Sequence, residues 1–139
     1  MRKRTQGREF ALQVLYQMDI TGDEQEHSLA SFWQAHKEDG ITPEVMGFSG
    51  ELVKGVSEKI AVLDEKISQY AQNWRLERMA VVDRNILRLG AYELMFRQDI
   101  PVKVAINEAV ELSKKYSTIE AGKFVNGILD KIKLERKES

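Results

Sequence analysis

The chain carries helical periodicity along nearly its whole length, and this pattern limits its possible folds more than any other feature. Apolar residues recur at intervals of three and four, the spacing of one face of an α-helix. No stretch of four or more residues alternates strictly between apolar and polar side chains with turn signals at both ends, as a half-buried strand would. Proline occurs at positions 43 and 101 only. The sequence therefore predicts an all-α protein of about seven helices.

Breaks in the apolar pattern divide the first half of the chain into four expected helices. The first spans about 5–20, and a short second helix follows it. Thr42 is expected to cap a third helix that has Pro43 at its first position. The apolar repeat then continues as far as Trp74, which is too long for one typical globular helix. We therefore expect a break at Gly55 and Ser57, where Ser57 would cap the fourth helix.

Three more helices are expected in the second half. The fifth, over about 77–97, is apolar on several sides, which is typical of a helix at the centre of a bundle. The sixth spans 102–116. Ser117 and Glu120 have the spacing of a capping box, which predicts that the seventh helix begins there.

Length and composition indicate a globular protein. A chain of 139 residues with 42% hydrophobic and 31% charged residues predicts a single domain, which we divide into helical halves at about 1–74 and 75–139. The absence of cysteine excludes disulfides and thiolate sites. The chain has no membrane-length apolar run and nothing that resembles a signal peptide, so we expect a cytoplasmic protein without membrane contact.

Charge is distributed unevenly, although the net charge is only −1. Acidic residues outnumber basic ones over 21–65, whereas the rest of the chain is basic. Four of the first eight residues are basic: Arg2, Lys3, Arg4 and Arg8. Such an arm can neutralise phosphates. The alternative is a frayed, solvated terminus.

No constellation of residues indicates catalysis, a metal or a cofactor. Gly122-Lys123 lacks both the first glycine and the hydroxyl residue of a phosphate-binding loop. The two histidines, His27 and His36, lack the companion motifs of a helical metal site. Carboxylates such as Glu108 lie on a lysine-flanked outer face and are better explained by solvation. We therefore expect a protein that is not an enzyme.

The seventh helix contains two glycines, and each costs about 1 kcal/mol relative to alanine. Phe124 lies at the edge of the helix's apolar stripe, and Gly127 is one turn further on. A missing side chain at 127 would leave a face of the Phe124 ring uncovered beside Lys123, where a nucleic-acid base could stack. The alternative is that Phe124 belongs to the core and the glycines, including Gly122, serve helix–helix packing.

Two further helices carry side chains in unexpected places. Arg84 and Arg88 are like charges one turn apart, so each needs an acidic partner or a phosphate, and an internal salt bridge is favoured. Arg8, Leu12 and Tyr16 form a line on the outer side of the first helix. Either a second layer of this protein or another protein covers that line.

Three segments resemble one family. These are DRNILRLGAYELMF (83–96), IPVKVAINEAVELSKKYS (100–117) and GKFVNGILD (122–130), and REFALQVLYQMD (8–19) agrees with them. Together they resemble the transcription antitermination factors of the NusB family. The resemblance implies two perpendicular helical bundles, no enzymatic activity, and binding of boxA RNA from ribosomal RNA operons together with the ribosomal protein NusE. It also implies a place in an antitermination complex on RNA polymerase, and some members form homodimers.

The resemblance also assigns residues to surfaces. The RNA surface would comprise Arg2, Lys3, Arg4, Arg8, Arg88, Glu120, Gly122, Lys123 and Phe124. The NusE surface would comprise Tyr16, Glu77 and Asp83. Single-stranded RNA is the expected form, because its bases are open to stacking. The competing hypothesis is a helical protein–protein interaction module that does not contact RNA directly.

Overall fold

The computed structural model describes residues 2–72 and 74–136. Over these residues the chain forms seven α-helices, and no residue in them is assigned to a strand. The α-helices are α1 (Lys3–Thr21), α2 (Gln25–Ala35), α3 (Pro43–Glu58), α4 (Ile60–Ala71), α5 (Val81–Phe96), α6 (Val102–Tyr116) and α7 (Ile119–Ile132). Short 3₁₀ helices cover Leu76–Arg78 and Lys133–Glu135. The all-α prediction is confirmed.

The chain divides into two compact units, Met1–Glu58 and Lys59–Ser139. Helices α1 to α3 make up the first unit, and α4 to α7 make up the second. Our expected division near residue 74 had placed α4 in the first half, whereas its contacts are with α5 and α7.

In the first unit, α1 packs against both α2 and α3. Its buried face includes Ala11 and Val14, and α3 contributes Leu52 and Val56. The start of α3 is as the sequence predicted, because the Thr42 hydroxyl accepts a hydrogen bond of 3.3 Å from the Val45 amide. This contact satisfies one of the free amides at the helix start.

In the second unit, α5 is central and packs against α4, α6 and α7. Ile86, Leu87 and Leu94 on this helix are fully buried, as its apolar composition predicted. Helix α7 approaches α5 closely at Gly90, where an added Cβ would lie 2.6 Å from a Leu129 methyl group. A larger residue at position 90 would force the two helices apart or distort the leucine.

Two predicted helix starts are wrong. Ser57 remains inside α3, and α4 begins at Ile60 without a side-chain cap. Ser117 does not cap α7, because its neighbour Thr118 has the extended backbone that a capping residue needs. The Thr118 hydroxyl accepts a hydrogen bond of 2.9 Å from the Ala121 amide.

Candidate nucleic-acid interface

Two aromatic residues, Phe124 and Trp74, lie against each other at the surface of the second unit. Phe124, on α7, is half-buried, and its ring centroid lies 5.9 Å from that of Trp74 with the rings at 64°. Trp74 remains 58% exposed. The sequence pattern had placed Trp74 on the core stripe of a long helix, and this was wrong because α4 ends at Ala71. Gln72 takes a positive φ of 49° there, so the helical period does not continue to Trp74.

A groove runs along α7 beside this pair, and we call it the α7 groove. It has a volume of about 360 Å³. Its lining consists of Tyr70, Ala71, Gln72, Trp74, Lys123, Phe124, Gly127, Ile128 and Lys131. None of these residues is acidic. Within residues 2–72 and 74–136, neither Lys123 nor Lys131 has an ion-pair partner, so the groove presents uncompensated positive charge next to aromatic surface.

The two glycines of α7 have different surroundings. Gly122 is buried, and an added Cβ would lie 3.7 Å from Val110 on α6, which is ordinary packing distance. Its amide is also occupied, since it donates to the Thr118 carbonyl. Around Gly127, by contrast, an added Cβ would meet nothing within 4 Å. A methyl group would therefore fit at position 122, so close packing does not require glycine there, while Gly127 leaves the α7 groove open.

A second groove, of about 270 Å³, shares the same two aromatic residues. Asp83 and Glu120 both line it, so a residue expected to face NusE and one expected to face RNA lie on one surface. One Asp83 carboxylate oxygen is buried and has no hydrogen-bond partner in the described part of the chain. Glu77 is exposed on the 3₁₀ helix Leu76–Arg78.

Arg88 forms a partly buried ion pair rather than an exposed contact point. Its Nε donates to Asp64 Oδ1 at 2.8 Å, and its Nη2 donates to Asp64 Oδ2 at 2.9 Å. A third bond of 3.2 Å joins Nη1 to Asn85 Oδ1. Arg84 donates to the Leu76 carbonyl at 3.5 Å. The expectation of an internal salt bridge is confirmed at Arg88, and its burial does not favour the RNA contact that the resemblance implied.

The basic N-terminal residues belong to a helix and not to a free arm. Helix α1 begins at Lys3, whose Nζ lies 2.8 Å from the Glu44 carboxylate, and this hydrogen bond lowers the pKa of Glu44. Arg4 lies over the Phe48 ring, 4.7 Å from its centroid. Arg8 also lies over this ring, at 5.4 Å, but is only 2% exposed. Arg2, Lys3 and Arg4 are exposed at the surface, whereas Arg8 is buried.

The outer line of α1 is split in the structure. Leu12 is 2% exposed, whereas Tyr16 is 42% exposed. Other residues of this chain therefore bury Leu12, whereas Tyr16 remains accessible to a partner.

Other kinds of site find no support in the described residues. Across 2–72 and 74–136, no three His, Asp or Glu side chains come together as metal ligands. Over the same part of the chain, none of the helices combines the length and the apolar character that crossing a bilayer requires.

Seven α-helices over residues 2–72 and 74–136, with a groove lined by aromatic rings and lysines, define an all-α protein with a candidate binding surface. The chain belongs to the NusB family, whose model matches residues 5–133. It is 48% identical over 130 residues to the transcription antitermination protein NusB of Anaeromyxobacter dehalogenans, covering 94% of this chain and 89% of the relative. The sequence resemblance is thereby confirmed.

Solved structures agree with this assignment. The structure of T. maritima NusB matches with a TM-score of 0.87 and 35% identity, covering 99% of this chain and 94% of that one. A chain from the crystal structure of antitermination factors NusB and NusE in complex with dsRNA matches with a TM-score of 0.84 and 32% identity, covering 96% and 98%. The family consists of transcription antitermination factors and is not enzymatic, which confirms the expectation that this chain is not an enzyme.

Proposed function

We propose that the protein acts in the cytoplasm as a transcription antitermination factor that binds boxA RNA of ribosomal RNA operons together with NusE. In this role it would form part of an antitermination complex on RNA polymerase. One observation carries the RNA-binding part of the proposal: the Phe124 ring lines the α7 groove beside Lys123, which has no ion-pair partner within residues 2–72 and 74–136. The related structure that contains NusE and dsRNA supports both classes of partner.

The chemistry of the α7 groove favours unpaired RNA. Stacking of a base on an aromatic ring contributes about 1–3 kcal/mol and needs a base face that is free. In a duplex those faces are covered by neighbouring bases. The lysines attract phosphate without regard to sequence, so they supply affinity, while the ring selects single strands.

The first test is the salt dependence of binding to single-stranded boxA RNA. Contact with about four phosphates predicts a slope near −3 for the logarithm of affinity against the logarithm of salt concentration. A filter-binding titration measures this slope. A flat response would exclude electrostatic capture by Lys123, Lys131 and the exposed residues at the start of α1.

Phe124→Ala tests the stacking contact itself. We expect RNA affinity to fall by about 5- to 150-fold, the range that corresponds to loss of one stacked base, with a small loss of stability because the ring is half-buried. Phe96→Ala is the matched control, since Phe96 is 38% exposed and lies on α5 outside both grooves. A large fall in melting temperature for Phe124→Ala would instead show that the ring belongs to the core.

The NusE surface is proposed to include Tyr16, Glu77 and Asp83. Tyr16 is 42% exposed and Glu77 is exposed, so a protein partner can reach both side chains. Tyr16→Ala is expected to weaken NusE binding more than RNA binding. Gel shifts with boxA RNA, with and without NusE, separate this proposal from the alternative of a protein-interaction module, which would bind NusE and leave free RNA unshifted. Sedimentation of the free protein tests for a homodimer.

A further inference from the structure

We propose that Trp74 is a second stacking platform, which holds one base of single-stranded RNA in the α7 groove next to the base on Phe124. The inference rests on the proposed function and adds a residue to it. It also gives the groove a defined occupant, a nucleotide with its base on Trp74 and its phosphate near a lysine.

The geometry of the aromatic pair favours two platforms over one clamp. The centroids are 5.9 Å apart and the rings are 64° from parallel, so no base fits between them. Each ring therefore offers a separate outer surface. Tyr70, the other aromatic residue of the groove, is half-buried, and its hydroxyl donates a hydrogen bond of 3.3 Å to Glu135. Trp74 is therefore the more exposed of these two rings.

The lysines are placed to bind the RNA backbone at two points along the α7 groove. Lys123, Gly127 and Lys131 follow one another at intervals of four residues, so they form a row along one face of α7. The rise of an α-helix separates the two lysines by about 12 Å along its axis. The empty position at Gly127 lies between them, facing the groove that Trp74 also lines.

The alternative is that Trp74 merely shields Phe124 from water. A shielding role would bury much of both rings, whereas more than half of the Trp74 surface is exposed. Scattered exposed aromatic residues are ordinary. An exposed tryptophan that lines a lysine-bearing groove without acidic residues has instead the composition of sites that bind single strands.

The chain provides its own reporter for this proposal. It contains two tryptophans, so Trp33→Phe leaves Trp74 as the single tryptophan, whose emission can be excited selectively over that of the four tyrosines. We expect titration with a short single-stranded boxA RNA to quench its fluorescence, and the same sequence in a duplex to quench it much less. Trp74→Ala is expected to weaken single-strand affinity by about 5- to 150-fold, and Trp74→Phe by less, because the phenyl ring still stacks.

Gly127→Leu tests the groove without touching an aromatic residue. The site is open, so the leucine can be accommodated by the fold while it fills the space that the base would occupy. Gly50→Leu is the matched control, since Gly50 is equally open on α3 of the other unit. We expect RNA affinity to fall for Gly127→Leu only, with both variants showing helical circular dichroism.

The outcomes separate this inference from the proposed function. If the unmodified protein fails to bind single-stranded RNA, both are refuted. If it binds RNA while Trp74 fluorescence and the Trp74→Ala affinity stay unchanged, only the inference is refuted. Loss of NusE binding by Trp74→Ala with intact RNA binding would assign Trp74 to the protein partner and also overturn the inference.

Discussion

Removing the Asp64 carboxylate tests whether Arg88 stabilises the fold or binds RNA. Breaking a fully buried ion pair costs about 3–5 kcal/mol, and breaking an exposed pair about 0.2–1 kcal/mol. The Arg88 and Asp64 side chains are 10% and 29% exposed, so the cost lies between these limits, near 2 kcal/mol. Alanine is the better helix former by about 0.5 kcal/mol. We therefore expect Asp64→Ala to destabilise the protein by about 1.5–2 kcal/mol.

Thermal unfolding followed by circular dichroism measures this effect. The expected loss corresponds to a fall in melting temperature of roughly 3–8 °C for a chain of this size. Asp130→Ala is the control, because Asp130 makes an exposed ion pair with Lys133 and should cost almost nothing. RNA affinity, measured well below the melting temperature, should be unchanged. An unaltered melting temperature, or a clear change in RNA affinity, would refute the structural role that we assign to Arg88.

Three further predictions concern stability. Gly90→Ala should lower the melting temperature, because the added Cβ would meet Leu129 on α7. Gly127→Ala should raise the free energy of unfolding by about 0.5–1 kcal/mol, because its Cβ meets nothing and alanine is the better helix former. Urea unfolding would measure both changes. Thr118→Ala should cost about 1 kcal/mol through loss of its cap and Ser117→Ala much less; equal effects would contradict the assignment of the cap. Glu135→Gln should lower the melting temperature at neutral pH. The hydrogen bond from Lys66 lowers the pKa of Glu135 below its usual value of about 4.5. The stabilisation from this ion pair is therefore present above pH 4.5 and disappears as the pH falls through the lowered pKa. A difference in melting temperature between Glu135→Gln and wild type that persists in acid would contradict this.

Local stop signals decide how well the sequence predicts each helix. Helix α6 follows Pro101 and was predicted with both of its ends, Val102 and Tyr116, because proline favours the position before or at a helix start. The predicted cap of α7 was wrong by one residue. Ser117 and Thr118 both have a hydroxyl that could cap the helix, and only the backbone geometry distinguishes them. The length of the apolar repeat predicted a break between α3 and α4, but α4 has no capping side chain and begins at Ile60, so its start was missed by a few residues.

The candidate site was predictable where it depends on one helix and not where it depends on contacts across the chain. Rotation around α7 identified Phe124 as an edge residue because the helix is regular over that stretch. Trp74 was misplaced because the same rotation was extended past Ala71, where the helix has ended. The burial of Arg8 depends on Phe48, which is forty residues away in sequence. A charge pattern alone cannot distinguish such an arginine from one that meets solvent.

The glycines show how structure turns an unexplained cost into a functional argument. At Gly90 the absence of a side chain permits α5 and α7 to approach, and this packing offsets the loss of helix stability. At Gly122 an added Cβ would find ordinary contact distances to α6, and at Gly127 it would meet nothing within 4 Å, so close helix approach requires glycine at neither position. The cost of Gly127 to the helix therefore has no compensation in packing. What the residue provides is open space in the α7 groove beside Lys123, Lys131, Phe124 and Trp74, which is the space that a nucleotide would need.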